Sequence, residues 1–538
     1  MKNTFQTGAE QVVLPSFIDP KTAFTLDMSH MGLDPAATAA LSNTDTAEAV
    51  PPLAAAHKEM GKIEAGEIKN PDEKRQVTHF SDRLDYAGSA VFKAVEAFAE
   101  EVRGGTALAD GKPVEAVVIN GIGGSALGPQ LVQFAINGPY WNELPRAARN
   151  GFPKIYFLDN TDPVGQTDLK AAVDPATTIV VTVSKSGGTR ETLNNMTALE
   201  AWFSEHEVNF AAHAVAVTMA GSKLDAYAKE NTWLKVFPMA ESIGGRTSET
   251  NIVGHVPAAL TGIDFGQLVA GGQYMDELTR APELANNPAY QLASAWYVAG
   301  EGRGNRNMVI VPYSDRLVLL GKYLQQLVME SLGKELDLDD NVVHQGLTVY
   351  GNKGGTDAHA YIQQLNDGRD DFFVTFIEVL KDSEELPMGD GMSMGDYLHA
   401  FKDGLVNALS GKGRKVIQII LESLDAFAIG MIIALYERAV AFYAELIHIN
   451  AFHQPGVQAY KLASGAVNDL QATLQTWIAD RGDKSWEGSA AAMAAELRAE
   501  DQVREVEGLL SKMAVNERTV GKLTASRTYR DGWVFALA

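Results

Sequence analysis

The sequence contains no cysteine in 538 residues. This absence excludes disulfides, thiolate catalysis and metal sites with cysteine ligands. Basic residues are also scarce, because 45 Lys and Arg face 68 Asp and Glu, for a formal net charge of −23. Such a field repels nucleic acid and anionic membranes, so we expect neither as a partner. If the substrate is an anion, its site must supply local cations and backbone N–H groups.

Long hydrophobic segments are missing as well. The longest apolar stretch, residues 426–436, has eleven residues between Asp425 and Glu437. It is too short to span a bilayer and predicts a buried core helix. The N-terminus has no basic segment followed by an apolar run, so no signal peptide is predicted. These features predict a cytoplasmic enzyme.

Two common catalytic patterns are absent. His448 and His453 are five residues apart, and no H-E-x-x-H or comparable cluster is present, so we expect no metal site. A Ser/His/Asp hydrolase would need a G-x-S-x-G elbow, and none accompanies the glycine-rich loops of this chain. The chemistry must therefore come from other residues.

The apolar runs predict an α/β fold. A chain of 538 residues is too long to fold around a single hydrophobic core, so two principal domains are expected. Short β-rich runs alternate with helical stretches, which is the pattern of a parallel, doubly wound sheet. The predicted strands are residues 114–120, 154–159, 177–183, 214–219 and 234–239 in a first series and residues 308–313, 347–350 and 371–378 in a second.

The two strand series divide the chain into four predicted segments. Residues 106–300 and 301–470 each form one α/β domain, in tandem. Residues 1–105 are rich in alanine and predict a helical N-terminal extension. Residues 471–538 are charged and predict a helical C-terminal appendage, with a final strand near residues 532–537.

The first strand of the first domain runs into the glycine-rich sequence GIGGSALG at residues 121–128. Glycines at a strand-to-helix turn let backbone N–H groups approach an anion, and Ser125 adds a hydroxyl beside Gly124. A dinucleotide fingerprint is one alternative, but its G-x-G-x-x-G spacing fits poorly. A purely structural tight turn is the other.

The third strand leads into SKSGGTRET at residues 184–192, which crowds hydroxyls around a helix N-terminus. The spacing is not that of a nucleoside-triphosphate loop. A phosphate monoester held by Ser184, Ser186 and Thr189 fits better, because a helix N-terminus favours an anion. A helix that is merely capped by Ser or Thr is the alternative.

Four further residues have a functional and a structural interpretation. Arg246 lies in GGRTS, where a fixed cation can stabilise developing negative charge, or an arginine can simply cap a turn. His359 follows a glycine-rich turn and can transfer protons near neutral pH, although a lone histidine is more often structural. Pro455 begins a helix. Gln454 lies at its start, where the amide could meet phosphate, and Lys461 lies six residues into it, where a lysine is ordinarily solvated.

Gln326 and Glu330 lie four residues apart in QQLVMESLGK. On an α-helix this spacing places both side chains on one face. The preceding apolar run predicts a buried parallel strand, so this helix would pack on a sheet, where Glu330 could act as a general base. An ordinary surface glutamate is the alternative.

Taken in order, these segments resemble the phosphoglucose isomerase family, which has the sugar isomerase (SIS) fold. The resemblance covers roughly residues 113–465 and rests on six motifs: GIGGS-x-LG, SKSG-x-T-x-ET, GGR-x-S, QQ-x-x-MES-x-GK, IALYE and N-x-F-x-QPGV-x-x-YK. The resemblance implies two tandem SIS domains, no cofactor and a sugar phosphate as substrate.

The resemblance also implies a role for each matching residue. It makes Glu330 the base that moves a proton between C1 and C2, and Arg246 the group that steadies the enediolate oxygen. His359 and Lys461 assist ring opening, with His359 contributed by the partner subunit of a homodimer. The implied phosphate-binding residues are Gly124, Ser125, Ser184, Lys185, Ser186, Thr189, Gln326 and Gln454.

The expected activity is the reversible isomerisation of glucose 6-phosphate to fructose 6-phosphate through a cis-enediol, a step of glycolysis and gluconeogenesis. One alternative is an isomerase that also accepts mannose 6-phosphate, because epimerisation needs only rotation of the enediol. The other is a catalytically silent sugar-phosphate sensor. Loss of Glu330 or His359 would favour the sensor, and both residues are present.

Overall fold

A computed structural model describes residues 16–42, 50–530 and 532–538. The chain forms two compact units, one that ends at His453 and one that begins at Gln454. Both predicted strand series lie in the first unit. The four-segment division proposed from the sequence stays a prediction.

The first sheet has five parallel strands, which pair in the order Lys154–Leu158, Ala116–Asn120, Thr178–Val183, Ala214–Met219 and Lys235–Met239. Every strand of the first predicted series is present within about two residues of its predicted bounds. The two central strands, Ala116–Asn120 and Thr178–Val183, are buried throughout. Central parallel strands are covered on both faces by helices, which explains their continuous apolar sequences.

The second sheet has six strands, in the order Phe17–Ile18, Thr25–His30, Lys415–Leu421, Phe372–Val379, Asn307–Pro312 and Val349–Tyr350. The last four of these are parallel to one another. Thr25–His30 pairs antiparallel with Lys415–Leu421 and buries Leu26 and Met28. The N-terminal segment was predicted as helical, and it also supplies the strands Phe17–Ile18 and Thr25–His30. A short hairpin, Lys334–Leu336 with Val342–Gln345, lies outside both sheets.

Helices cover the sheets of the first unit. Its α-helices are Pro35–Ser42, Pro52–Glu64, His79–Tyr86, Ala90–Arg103, Leu127–Asn137, Pro163–Ala172, Arg190–Glu205, Lys223–Glu230, Ile252–Ala259, Phe265–Leu278, Pro288–Ala299, Leu320–Leu324, Ile362–Asp367, Met394–Ser410 and Ala426–Leu446. A π-helix, Gln325–Glu330, continues directly from Leu320–Leu324.

The core helix Ala426–Leu446 is longer than predicted. It has 21 residues, enough by length and composition to cross a membrane, but 94% of its apolar window is buried inside the protein. The apolar stretch from which the helix was predicted ends before Glu437. The helix continues because Glu437 and Arg438 are buried with partners: Arg83 donates to Glu437, and Arg438 Nε donates to Asp276 over 2.6 Å.

The second unit combines helices with a sheet. Its helices are Pro455–Asp480, Ala490–Glu496 and Val503–Val515, and its four antiparallel strands pair in the order Trp486–Gly488, Trp533–Leu537, Leu523–Tyr529 and Thr519–Val520. The predicted final strand is present as Trp533–Leu537. The appendage is thus not purely helical, because three further strands join this one around a core of its own.

The buried ion network predicts a large stability loss on truncation. Arg83 donates to both oxygens of Asp276, over 2.8 and 2.7 Å, and to Glu437. Arg83→Met should lower the free energy of unfolding by about 3–5 kcal/mol, because Glu437 loses the buried cation that donates to it and Asp276 keeps Arg438 but loses Arg83. Urea denaturation followed by tryptophan fluorescence measures this loss.

Lys112→Met is the matched control, because the ion pair of Lys112 with Asp110 is exposed on both sides. Such a pair contributes about 0–1 kcal/mol. Equal effects of the two substitutions would contradict the proposed importance of the buried network.

Candidate active site

The two central strands of the first sheet end beside each other. Ala116–Asn120 and Thr178–Val183 are parallel neighbours, and their other partners lie on opposite sides. Strand order therefore reverses between them, which is where open parallel sheets bind ligands at their carboxyl ends. Residues 121–125 and residues 184–189 follow these two ends.

The first loop packs closely against two other predicted site segments. Gly123 has a φ of 60°, and a Cβ there would lie 2.9 Å from Nε2 of Gln326. A Cβ on Gly124 would lie 2.0 Å from the carbonyl oxygen of Gly245. Only glycine allows this approach, so the loop of Ser125 meets both the loop of Arg246 and the helix of Gln326.

The second loop gathers hydroxyl groups at the start of the helix Arg190–Glu205. Ser184 Oγ accepts from the N–H of Gly187 over 3.1 Å and lies 3.4 Å from Thr189 Oγ1. Ser186 Oγ accepts from the N–H of Gly188 over 3.2 Å. Thr189 occupies the N-cap position, but its side chain makes no capping hydrogen bond. The anion site at this helix start stays a prediction.

Lys185 belongs to the same loop, but its ammonium group turns to the loop before Arg246. Its Nζ donates to the carbonyl oxygens of Glu241 and Ile243, the latter over 3.0 Å. Burial, together with the nearby cation Arg75, lowers the pKa of Lys185 to about 8. Glu73 and Glu241 oppose this shift.

Glu330 ends the π-helix Gln325–Glu330 rather than lying on a regular α-helix. The prediction of an α-helical face is corrected in this respect; π-turns often occur at functional sites. The Glu330 side chain is 19% exposed, and its Oε1 lies 3.7 Å from Nη1 of Arg246. The structure thus pairs a solvent-accessible carboxylate with a buried cation.

Arg246 is 5% exposed, so its side chain is buried. Its Nε donates to Ser331 Oγ over 2.7 Å, and its Nη2 donates to the carbonyl oxygens of Ala451 and His453. Burial lowers the pKa of Arg246, and Glu330 opposes that effect. The guanidinium therefore connects the segment of Glu330 to residues 451–453.

Lys334 is a site residue that the sequence analysis missed. Its side chain is 4% exposed, and Nζ donates to the carbonyl oxygens of Glu330 over 2.7 Å and Ser331 over 2.8 Å. Burial lowers the pKa of Lys334 to about 7, with a further contribution from Arg246. The available signal was its position four residues after Glu330, where a lysine can satisfy the last carbonyls of a helix.

Three predicted residues belong to other segments of the chain. His359 is exposed and ends the short 3-10 turn Asp357–His359. Buried Asp357 holds this turn by accepting from the N–H of Asn352 over 2.8 Å and from the hydroxyl of Tyr361. Gln454 and Lys461 belong to the second unit, where Gln454 precedes the helix Pro455–Asp480 and Lys461 lies in its second turn.

The first unit therefore brings together Ser125, Arg246, Gln326 and Glu330. A carboxylate beside a fixed cation suits removal of a proton next to a carbonyl, because the cation stabilises the oxyanion that forms. The hydroxyl-rich loop lies at the adjacent strand end, at the start of a helix, where an anion is favoured. Within the described residues, we find no group of His, Asp and Glu that could hold a metal ion.

Comparisons with known proteins find relatives over most of this chain. The family model described as "Phosphoglucose isomerase" matches residues 53–406. A glucose-6-phosphate isomerase from Geobacter sp. (strain M21) is 46% identical over 483 residues, which are 87% of this chain and 89% of the relative. A glucose-6-phosphate isomerase from Thermosynechococcus vestitus is 43% identical over 521 residues, 94% of each chain.

A solved structure shows the same fold. The crystal structure of a glucose-6-phosphate isomerase from Chlamydia trachomatis matches with a TM-score of 0.72. The two chains are 24% identical, and the match covers 84% of this chain and 89% of the other. The match supports the α/β fold described above, which contains one parallel and one mostly parallel sheet.

The buried ammonium of Lys334 predicts a pH-dependent stability. Its pKa of about 7 lies below the ordinary value of 10.5, so the unfolded chain binds more protons between these values. Stability should therefore rise from pH 7 to pH 10, by on the order of 2 kcal/mol for this residue. Lys334→Met should lack this part of the rise in urea denaturation at both pH values.

Lys322→Met provides the control, because Lys322 is an exposed lysine on the adjoining helix. It should keep the wild-type slope of stability against pH. The same slope in Lys334→Met and the wild type would show that Lys334 does not titrate in this range.

Proposed function

This chain belongs to the phosphoglucose isomerase family, and we propose the residue roles by which it interconverts glucose 6-phosphate and fructose 6-phosphate. The single observation that carries the assignment of roles is the approach of Glu330 to buried Arg246, 3.7 Å apart. Both stand in the family's motifs, and the relatives named above are glucose-6-phosphate isomerases. Those names favour neither a mannose-phosphate activity nor a silent sensor.

We propose that the phosphate binds at the carboxyl ends of the two central strands. Ser184, Ser186 and Thr189 offer hydroxyl groups at a helix N-terminus, and the glycine-rich loop of Gly124 and Ser125 adds the hydroxyl of Ser125. The remaining proposed contacts come from Gln326 and Gln454, with Lys185 nearby as a cation. These local donors offset the repulsion that the net charge of −23 exerts on a phosphate dianion.

Glu330 is the proposed base. It takes the proton from C2 of the open-chain aldose and returns it to C1, which yields the ketose through an enediolate. A positioned base contributes typically about 10²–10⁴-fold to such a step. Arg246 stabilises the enediolate oxygen, where one well-placed donor contributes about 10²–10³-fold.

His359 and Lys461 are the proposed acid–base pair for ring opening. We propose that His359 acts in the active site of a second copy of the chain, because its side chain is exposed on this one. A homodimer is therefore the proposed functional unit. Since a ring oxygen must be protonated when the ring opens, a histidine that titrates near neutral pH suits this step.

An exposed apolar surface supports the dimer. The helix Ile362–Asp367, which follows His359, contacts the helix Met394–Ser410. That second helix and the loop before it expose several large apolar side chains: Leu380, Leu386, Met388, Met392, Met394, Leu398 and Phe401. Apolar surface of this extent is typical of interaction sites.

The proposed location is the cytoplasm, where a sugar phosphate of central metabolism is available. The absence of cysteine means that the fold requires no oxidising compartment. The proposal includes no cofactor, because Glu330 and the acid–base pair transfer the protons and Arg246 stabilises the enediolate.

Replacing the proposed base tests the assignment. Glu330→Gln keeps the shape of the side chain but removes its basicity, so kcat should fall by at least about 10²–10⁴-fold. A coupled assay that oxidises the glucose 6-phosphate formed from fructose 6-phosphate measures this. Glu335→Gln, at an exposed position of the same segment, should retain wild-type activity. Equal turnover of wild type and Glu330→Gln would overturn the role.

Subunit complementation tests the shared site. Glu330→Gln and His359→Gln dimers should each be nearly inactive. If His359 acts across the interface, unfolding and refolding an equal mixture should restore about one quarter of the wild-type sites, those in mixed dimers. No recovery in mixtures that do form mixed dimers would place both residues in the same subunit's site.

A further inference from the structure

The N-terminal segment contributes a tight turn to the active-site region, although the sequence analysis found no function for it. Asn70 and Arg75 form an antiparallel bridge through backbone hydrogen bonds of 3.3 and 3.2 Å. The turn between them projects the Arg75 side chain toward two loops of the first unit. That side chain is 12% exposed, and Glu73 accepts from its Nε over 2.6 Å.

One of these loops, residues 241–243, directly precedes the loop of Arg246. All three of its carbonyl oxygens accept hydrogen bonds from cations. Lys185 Nζ donates to the carbonyl oxygens of Glu241 and Ile243, and Arg75 Nη1 donates to that of Ser242 over 3.2 Å. Thr78 adds a hydroxyl bond to Ser242 Oγ over 2.7 Å.

The other loop, residues 451–453, is held in the same way. Arg246 Nη2 takes the carbonyls of Ala451 and His453, and Arg75 Nη2 takes that of Phe452 between them over 3.1 Å. Asn70 Nδ2 also donates to Phe452, over 3.1 Å. Six carbonyls on two loops are thus held by two arginines and one lysine, and the Arg75 guanidinium donates to both loops.

We propose that Arg75 is a positioning residue for the isomerase reaction, because its guanidinium fixes the two loops between which Arg246 faces Glu330. This inference rests on the proposed function of that site. The two terminal nitrogens of one planar guanidinium reach Ser242 and Phe452 together. A lysine, with a single terminal nitrogen, cannot reproduce this geometry.

Arg75 also affects the charge of the phosphate end. It lies close enough to Lys185 to lower the pKa of that lysine, together with the larger effect of burial. The other charged groups that face Lys185 are Glu73 and Glu241, which act in the opposite direction. Without Arg75, the pKa of Lys185 should rise above about 8, and the lysine should stay charged to higher pH.

Steady-state kinetics of Arg75→Met, Arg75→Lys and Lys74→Gln test the proposal. Arg75→Met should lower kcat by about 10–100-fold, because small displacements of catalytic groups have effects of this size. Its KM should change less. Arg75→Lys should recover only part of the activity. Lys74→Gln removes a charge from an exposed position of the same turn and should behave as the wild type.

Two readouts separate positioning from a general loss of structure. In Arg75→Met, the rise of KM at alkaline pH should begin at a higher pH than in the wild type, because Lys185 titrates later. Guanidinium chloride at low millimolar concentration should raise kcat of Arg75→Ala but not of Glu330→Gln. Circular dichroism should confirm that Arg75→Met and Arg75→Ala are folded.

Arg75→Met with the kinetics of Lys74→Gln would overturn the inference while leaving the proposed function intact. The inference would also be overturned if folded Arg75→Met kept the wild-type pH profile and guanidinium chloride did not raise kcat of folded Arg75→Ala. A wild-type protein without isomerase activity would overturn the proposed function, and this inference with it.

Discussion

The guanidinium of Arg246 is almost entirely withdrawn from water, and its hydrogen bonds join segments that are far apart in the chain. It donates to Ser331, beside Glu330, and to the carbonyls of Ala451 and His453. A buried cation is costly unless polar groups surround it, so these segments cannot separate without leaving an unpaired charge. The distance of 3.7 Å between Arg246 and Glu330 is therefore a consequence of how the loops are tied together.

The local electrostatics of the cleft oppose those of the whole chain. The protein carries a net charge of −23, yet its active-site region collects Arg75, Lys185, Arg246 and Lys334. Burial lowers the pKa of each lysine in this group, to about 8 for Lys185 and about 7 for Lys334. Backbone carbonyls hold Lys185 and Lys334, whereas Arg75 also pairs with Glu73 and Arg246 lies 3.7 Å from Glu330.

Local sequence predicted most of the first sheet, since continuous apolar runs between glycine-rich turns are typical of central parallel strands. It failed where pairing is distant. Thr25–His30 reads as ordinary N-terminal sequence until Lys415–Leu421 pairs with it. The core helix was ended too early at Glu437 because its partner Arg83 lies 354 residues away. The π-helix at Glu330 likewise has no signature in residue spacing alone.

The sequence by itself determined the chemistry that the cleft can perform: an anion site of hydroxyls at a helix start, a carboxylate, and an arginine in a glycine-rich loop. These depend on residue types within a few positions of one another, which local geometry controls. Tertiary structure decided which of them meet. It placed Gly124 against Gly245, buried Lys334 under Glu330, and brought Arg75 to Ser242 and Phe452, which are 167 and 377 residues away. Burial and hydrogen bonding over such distances exist only once the chain has folded.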